Sequence, residues 1–290
     1  MSLLDSTAAG LVLPEVVGPL IIQPLRNRST AMQVCTQVET ASPKFRLPVV
    51  DLDAASTWLA EGADITETDP TIGEEVVTAM KLGALTKVSN ELANDSSPAA
   101  TQVVGDGLTR SIARQLDVCF FGTGGGLAPP GLLSLSGIAT VNVPGSTWTN
   151  FDFVTEAQSA LERVGSTCTA LCASFETVRL LSEVKSFTGA AMNSNEPLLN
   201  AGDGDVTTAQ PRNIFGVPLY SLPEGTIADG IVWALDRDKV YAVIRQDVGV
   251  MVDPSFYFGS DSLAVRVIIR VGFGYPHHAA ICKIQLGGGS

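Results

Sequence analysis

Apolar positions along the chain follow two periods, and these predict most of its elements. Phe45, Leu47 and Val49 alternate as one strand, and Val76, Val77, Met80 and Leu82 predict a long strand returning beside it, with a polar tip around Trp58. Val104, Leu108, Ile112, Leu116 and Cys119 recur at spacings of three and four, which predicts a helix over 98–121 that stops at Gly122. Ser97 is placed to cap it and Pro98 to open it, and its length is roughly 36 Å at the helical rise per residue. A third segment, Val154, Ala157, Leu161 and Val164, reads as a helix capped by Thr149 or Asn150 and ended by Gly165. Ser174 begins another through Val178, Leu181 and Val184, and strands return from Val248 onward. Between them, Thr188 to Asn213 is polar and Gly-rich and reads as a long loop.

The hairpin loop from Pro43 to Glu75 is an arm that cannot bury itself. Asp51, Asp53, Glu61, Asp64, Glu67, Asp69, Glu74 and Glu75 make it acidic beyond its base, where Lys44 and Arg46 stand. Large apolar residues are scarce near its tip, so it is suited to lie across another subunit. The N-terminal segment carries Pro14, Pro19 and Pro24 among apolar residues, which blocks a continuous helix and favours an extended arm.

Four stretches, in order, resemble one family. They are Trp58–Gly62 with Thr68–Ile72 and Lys81–Leu92, then Asp117–Gly124 (DVCFFGTG), Ile214–Tyr220 (IFGVPLY) and Arg266–Ala279 (RVIIRVGFGYPHHA). Together they resemble the extended loop, spine helix, central strand and last long strand of tailed-bacteriophage major capsid proteins of the Hong Kong 97 type. The resemblance implies an α+β fold with an N-terminal arm (1–30), an extended hairpin loop (43–75) and a peripheral domain (31–42, 76–130 and 248–286) that includes the spine helix. It also implies an axial domain (131–247) and a short tail (287–290). The implied role is self-assembly, as pentamers and hexamers, into an icosahedral head that encloses double-stranded DNA. A second reading is an encapsulin-type compartment shell, which shares the fold; the proline-rich arm and the long acidic hairpin favour the phage.

Composition narrows the chemistry. The chain of 290 residues is 45% hydrophobic, enough for a sizeable core and too apolar for a disordered protein. A net charge of -12 opposes direct DNA binding, which needs clustered Lys and Arg, so the genome would be enclosed without sequence-specific contacts. No apolar run is long enough for a membrane span, and the N-terminus lacks signal-peptide features. Five cysteines without CxxC spacing suit free thiols in a reducing compartment, and Cys168 and Cys172 read as packing residues on a helix. The expected location is the virion, after assembly in the host bacterial cytoplasm.

No enzyme is called for. Gly122–Gly126 follows a helix and runs into Pro129-Pro130, the reverse of a phosphate cradle. His277 and His278, the only two histidines, are adjacent on an expected strand end and point apart, so they do not form a metal pair. Gly202–Asp205 lacks the alternating carboxylates of a calcium loop. The expected contacts between subunits are therefore Trp58, Glu61 and Asp64 on the arm against Arg266 and Arg270 of a neighbour, with no catalytic residue, metal or cofactor. Two further expectations follow from the resemblance. The arm motif begins almost at Met1, so scaffolding is expected from a separate protein or none, with portal and cement proteins as further partners. Covalent cross-links between subunits are not expected, because 49–73 holds no lysine and Tyr257 stands where the family's reactive asparagine would be.

Overall fold

The computed structural model describes residues 28–52, 58, 62, 71–89, 99–185, 188–189, 192–193, 198–199 and 212–287. In chain order these form α1 (Thr30–Val34), β1 (Thr36–Thr40), β2 (Lys44–Leu52), β3 (Thr71–Thr78), β4 (Met80–Ser89), α2 (Ala99–Phe121), β5 (Gly124–Gly125) and β6 (Ala128–Pro130). There follow β7 (Ala139–Val143), α3 (Asp152–Glu162), β8 (Ala170–Ser174), α4 (Phe175–Glu183), β9 (Thr188–Gly189) and β10 (Met192–Asn193). The chain closes with β11 (Asn213–Ile214), β12 (Val217–Leu222), β13 (Ile231–Leu235), β14 (Tyr241–Tyr257), β15 (Ser262–Gly274) and β16 (Ile281–Leu286).

A four-stranded sheet, ordered β1-β14-β15-β4, packs one face on α2. Val267, Ile269, Val271 and Phe273 project from β15 at every second position and meet Ile112, Leu116 and Phe120, which recur every fourth residue of the helix. Phe120 is the centre of this contact, with its ring 5.0 Å from that of Phe273. The helix runs out at Gly122, a position only glycine fits: a Cβ there would lie 2.6 Å from the Val118 carbonyl oxygen.

A six-stranded sheet, ordered β11-β12-β8-β13-β16-β7, is covered on both faces. Leu171, Ala173, Val232, Ala234, Cys282 and Ile284 pack beneath α3 and α4 in one core. The alternate residues Ala170, Cys172, Trp233, Leu235 and Ile281 join the core around α2, so α2 ties the two sheets together.

Several expectations are corrected here. The returning arm strand is not continuous: β3 pairs with β2, whereas β4 pairs with β15, and the chain changes sheet at Ala79, whose N–H donates to the Pro43 carbonyl at 3.1 Å. Residues 281–286 lie in the six-stranded sheet, between β13 and β7. Their alternation serves both cores, which only the six-stranded sheet can satisfy. Tyr241–Asp247 belong to β14 in the four-stranded sheet. Cys172 lies at the centre of β8, not on a helix, because all five residues of that strand are buried and no alternation marks it. The cap of α3 is Phe151, with Asn150 Oδ1 accepting from Asp152 N at 3.4 Å, and Val164 is 48% exposed, not part of the apolar face. His277 and His278 sit in a turn entering a short 3-10 helix, where His278 Nδ1 is 2.8 Å from the Ser136 carbonyl oxygen. Ser97, Pro98, residues 1–27 and most of 188–213 lie outside the described residues.

One buried carboxylate organises the start of the described chain. Asp117 on α2 accepts from Ser29 Oγ at 2.7 Å, Ala31 N at 2.9 Å and Thr30 N at 3.3 Å, anchoring α1 to the spine of the core. Burial pushes its carboxyl above the usual range, and the donors from Ala31, Ser29 and Thr30 draw it partway back.

Candidate assembly surfaces

Among the described residues, the arm is seated on its own subunit at its base. Leu47 and Val77 pack on Val243, with Phe45 and Tyr241 beside them. Two glycines of β15 let the hairpin come this close: a Cβ at Gly272 would lie 2.7 Å from the Thr78 carbonyl oxygen, and one at Gly274 2.6 Å from Val77 Cγ2. Both carboxylate oxygens of Glu75 accept from Tyr275 N, at 3.0 and 2.9 Å, which pins the hairpin to the end of β15. Beyond this base, Trp58 is 104% exposed, so it touches neither Arg266 nor Arg270 of its own chain. Glu61 and Asp64 lie outside the described residues.

Arg266 and Arg270 share the outer face of the four-stranded sheet, away from α2, but their settings differ. Arg266 is exposed, faces Leu85 on one side and Met251 on the other, and brings Nη2 to 2.9 Å from Met251 Sδ. Arg270 is half-buried and stands in register with Arg245 and Lys81, a row of three cations across three strands. Lys87 lies on the same face and holds Nζ 5.1 Å from the ring centroid of Tyr257. These five cations are scattered in the chain, so no run of the sequence shows them as a cluster. The signal available was the alternation Lys81, Gly83, Leu85, Lys87, which places basic and apolar residues on one face.

The sites weighed for chemistry have structural uses. Gly124, Gly125 and Gly126 all have positive φ and form a tight turn after the C-terminus of α2, where carbonyls, not N–H groups, face outward. Burial pushes the Cys35 and Cys172 thiols well up and takes Cys282 to about 12, so they stay protonated and unreactive. Among the described residues, no three His, Cys, Asp or Glu side chains are grouped to hold a metal.

The described residues thus show an arm rooted by Glu75 and two glycines, an uncovered Trp58, and a separate basic and apolar sheet face. The model of the phage capsid family matches residues 9–286. Among solved structures, the chain is similar to Gordonia phage Cozz, at 14% identity and a TM-score of 0.68 over 90% of this chain and 87% of that one. Similar too are Mycobacterium phage Adephagia, at 15% identity and a TM-score of 0.69 over 90% and 91%, and the capsid of an empty GTA particle computed with C5 symmetry, at 19% and 0.69 over 90% of each. No curated protein matches the chain. These matches carry the fold of the Hong Kong 97 type and do not favour the encapsulin-type reading. The chain belongs to the phage capsid family.

Proposed function

We propose that the subunit forms pentamers and hexamers that close an icosahedral shell around double-stranded DNA, working by contact and not by catalysis. In this arrangement the four-stranded sheet with α2 is the peripheral part and the six-stranded sheet the axial part, and the arm crosses to a neighbour. The observation that carries it is Trp58, 104% exposed on a hairpin whose base is pinned by Glu75 and two glycines. A fixed lever with an uncovered aromatic end has no use within one subunit. Glu61 and Asp64 beside it meet Arg266 and Arg270 of the neighbour. Exposed ion pairs are worth about 0 to 1 kcal/mol each, so many repeated contacts and apolar burial hold the head together. Assembly takes place in the host bacterial cytoplasm, with a separate scaffolding protein or none. Among the described residues, no helix is long and apolar enough to cross a membrane.

The shell is held without covalent links. Lys44 is exposed at the foot of the arm, and Tyr257 at the end of β14 offers a phenol in place of a carboxamide. Boiled, reduced particles should therefore run as one band near 30.3 kDa on a denaturing gel. A ladder of subunit multiples surviving that treatment would contradict the proposed contacts.

A further inference from the structure

We propose that Phe215, at the apex of the β11–β12 turn, is the aromatic anchor of a ring contact and packs on Leu127, and on the pocket beside it, in the next copy of this chain. The inference rests on the capsid reading and names the two flanks through which subunits of one ring meet.

Phe215 holds a strained position. The turn between β11 and β12 has two residues, Phe215 with φ 49° and Gly216 with φ 82°. Two-residue hairpin turns of this kind favour Asn-Gly, because a side chain with a Cβ is strained at positive φ, a bulky one most of all. Among the described residues, Asp261 is the only other non-glycine residue with positive φ. The core of the subunit does not offset the strain, since the Phe215 ring is 63% exposed. A strained, uncovered aromatic on a tight turn marks a contact made outside the subunit. Val164, 48% exposed, stands on the same flank: it precedes β8 as Phe215 precedes β12, and the two strands are parallel neighbours.

The opposite flank carries the seat. The six-stranded sheet runs from β11 at one edge to β7 at the other. Strands β12, β8, β16 and β7 point the same way, with Leu219, Leu171, Cys282 and Ala139 in one row through Ala234 of β13. Segments that precede β12 and β7 therefore lie beyond the same end of the sheet, at opposite edges. The segment before β7 carries Leu133, 39% exposed, and ahead of it Leu127, 93% exposed at the tip of the β5–β6 turn. That turn is tied down on three sides. Gly131 N donates to the Thr123 carbonyl at 3.2 Å, Leu133 N to the Gly122 carbonyl at 3.0 Å, and the Tyr275 hydroxyl to the Pro130 carbonyl at 3.2 Å. Beside Leu127 is a pocket of about 110 Å³ whose walls include Met80, Leu82, Cys119 and Pro129. An apolar cavity of about 150 Å³ takes a whole benzene, so this one admits the leading edge of a phenyl ring.

Both halves of the contact are on this chain, at one level of the fold and on opposite sides, which favours a second copy over a different protein as the occupant. Because anchor and seat are different surfaces, each copy gives a ring and receives one. Such a head-to-tail contact closes when repeated around a rotation axis.

Two experiments test it. Shells of Phe215→Cys with Leu127→Cys, in a Cys119→Ala background that removes the thiol lining the pocket, are oxidised mildly and run unreduced on a gel. The expected result is a disulfide-linked ladder that stops at five and six subunits and is absent from either single variant. Dimers alone would mean a two-fold contact and overturn the proposal, as would monomers alone from assembled shells. The second experiment is Phe215→Asn. Asparagine tolerates positive φ, so the unassembled subunit should melt at or above the wild-type temperature, while ring formation weakens roughly tenfold or more, as for loss of an aromatic anchor. Wild-type shell yield from Phe215→Asn, or a lower melting temperature of its subunit, overturns the contact and leaves the capsid reading intact. Protection of Phe215→Cys from maleimide in heads from phage-producing cells, but not in shells of this chain alone, assigns the site to another protein and likewise overturns it. Failure of the wild-type chain to form any shell in phage-producing cells counts against the capsid reading itself.

Discussion

Gly272→Val is expected to give subunits that fold but do not close into shells. A Cβ at this position meets the Thr78 carbonyl oxygen at 2.7 Å and Val77 Cγ1 at 2.8 Å, and the first of these is backbone that cannot rotate away. Either the hairpin lifts from β15 or the sheet distorts, and overpacking of this kind costs about 1 to 3 kcal/mol. The larger consequence is geometric, since a small tilt at the root displaces the end of the arm far more than its base. Gly272→Ala should show a weaker form of the same defect. Gly83→Ala is the control, because a Cβ there would find only ordinary contacts, at 3.6 Å from the Val267 carbonyl oxygen and 3.8 Å from Ile268 Cγ1. Circular dichroism should stay close to wild type in all three, with shells counted by sedimentation. Normal shell yield from Gly272→Val would show that the seating of the arm does not matter.

Asp117→Ala is expected to lower stability by about 2 to 4 kcal/mol, since Ser29 Oγ and Ala31 N would be left buried without an acceptor and each such donor costs about 1 to 3 kcal/mol. Ser29 and Ala31 are both 0% exposed, so water cannot replace the carboxylate without opening the core. Asp117→Asn keeps one carbonyl acceptor and should lose less. It also separates the charge from the geometry. A carboxyl with a folded pKa above its unfolded value binds more protons when folded, so its contribution is greatest in acid and declines as pH rises from about 4 through the raised value. The wild type should therefore lose stability over that window relative to Asp117→Asn, read as the difference between their melting temperatures at successive pH values. Parallel curves for the two proteins would remove Asp117 from the pH response.

What the sequence made legible depended on whether a local period existed. The helix Ala99–Phe121 was readable because Ile112, Leu116 and Phe120 face one sheet and the opposite side is polar. The start of α4 at Ser174 was readable for a similar local reason, and the structure adds that the Ser174 side chain caps the helix by accepting from Thr177 N. In contrast, β8 has no polar face, so its five buried residues look the same whether helical or extended. The sheet that takes Ile281–Leu286 is a non-local choice, made by hydrogen bonds to Ile231–Leu235 and Ala139–Val143 that no local pattern encodes. The break at Ala79 escaped notice because apolar residues continue on both sides of it. Of the expected contact residues, Arg266 was placed on an outer sheet face by simple alternation. Leu85, Lys87 and Met251 became its neighbours only through the registers of β4 and β14 with β15.

The most direct measurement is electron microscopy of particles from cells producing the phage, with this chain identified in them by mass spectrometry. The account predicts that it is the dominant protein of icosahedral heads filled with DNA and joined to tails. Finding it only as a free monomer, or in shells packed with protein and lacking DNA, would contradict that account.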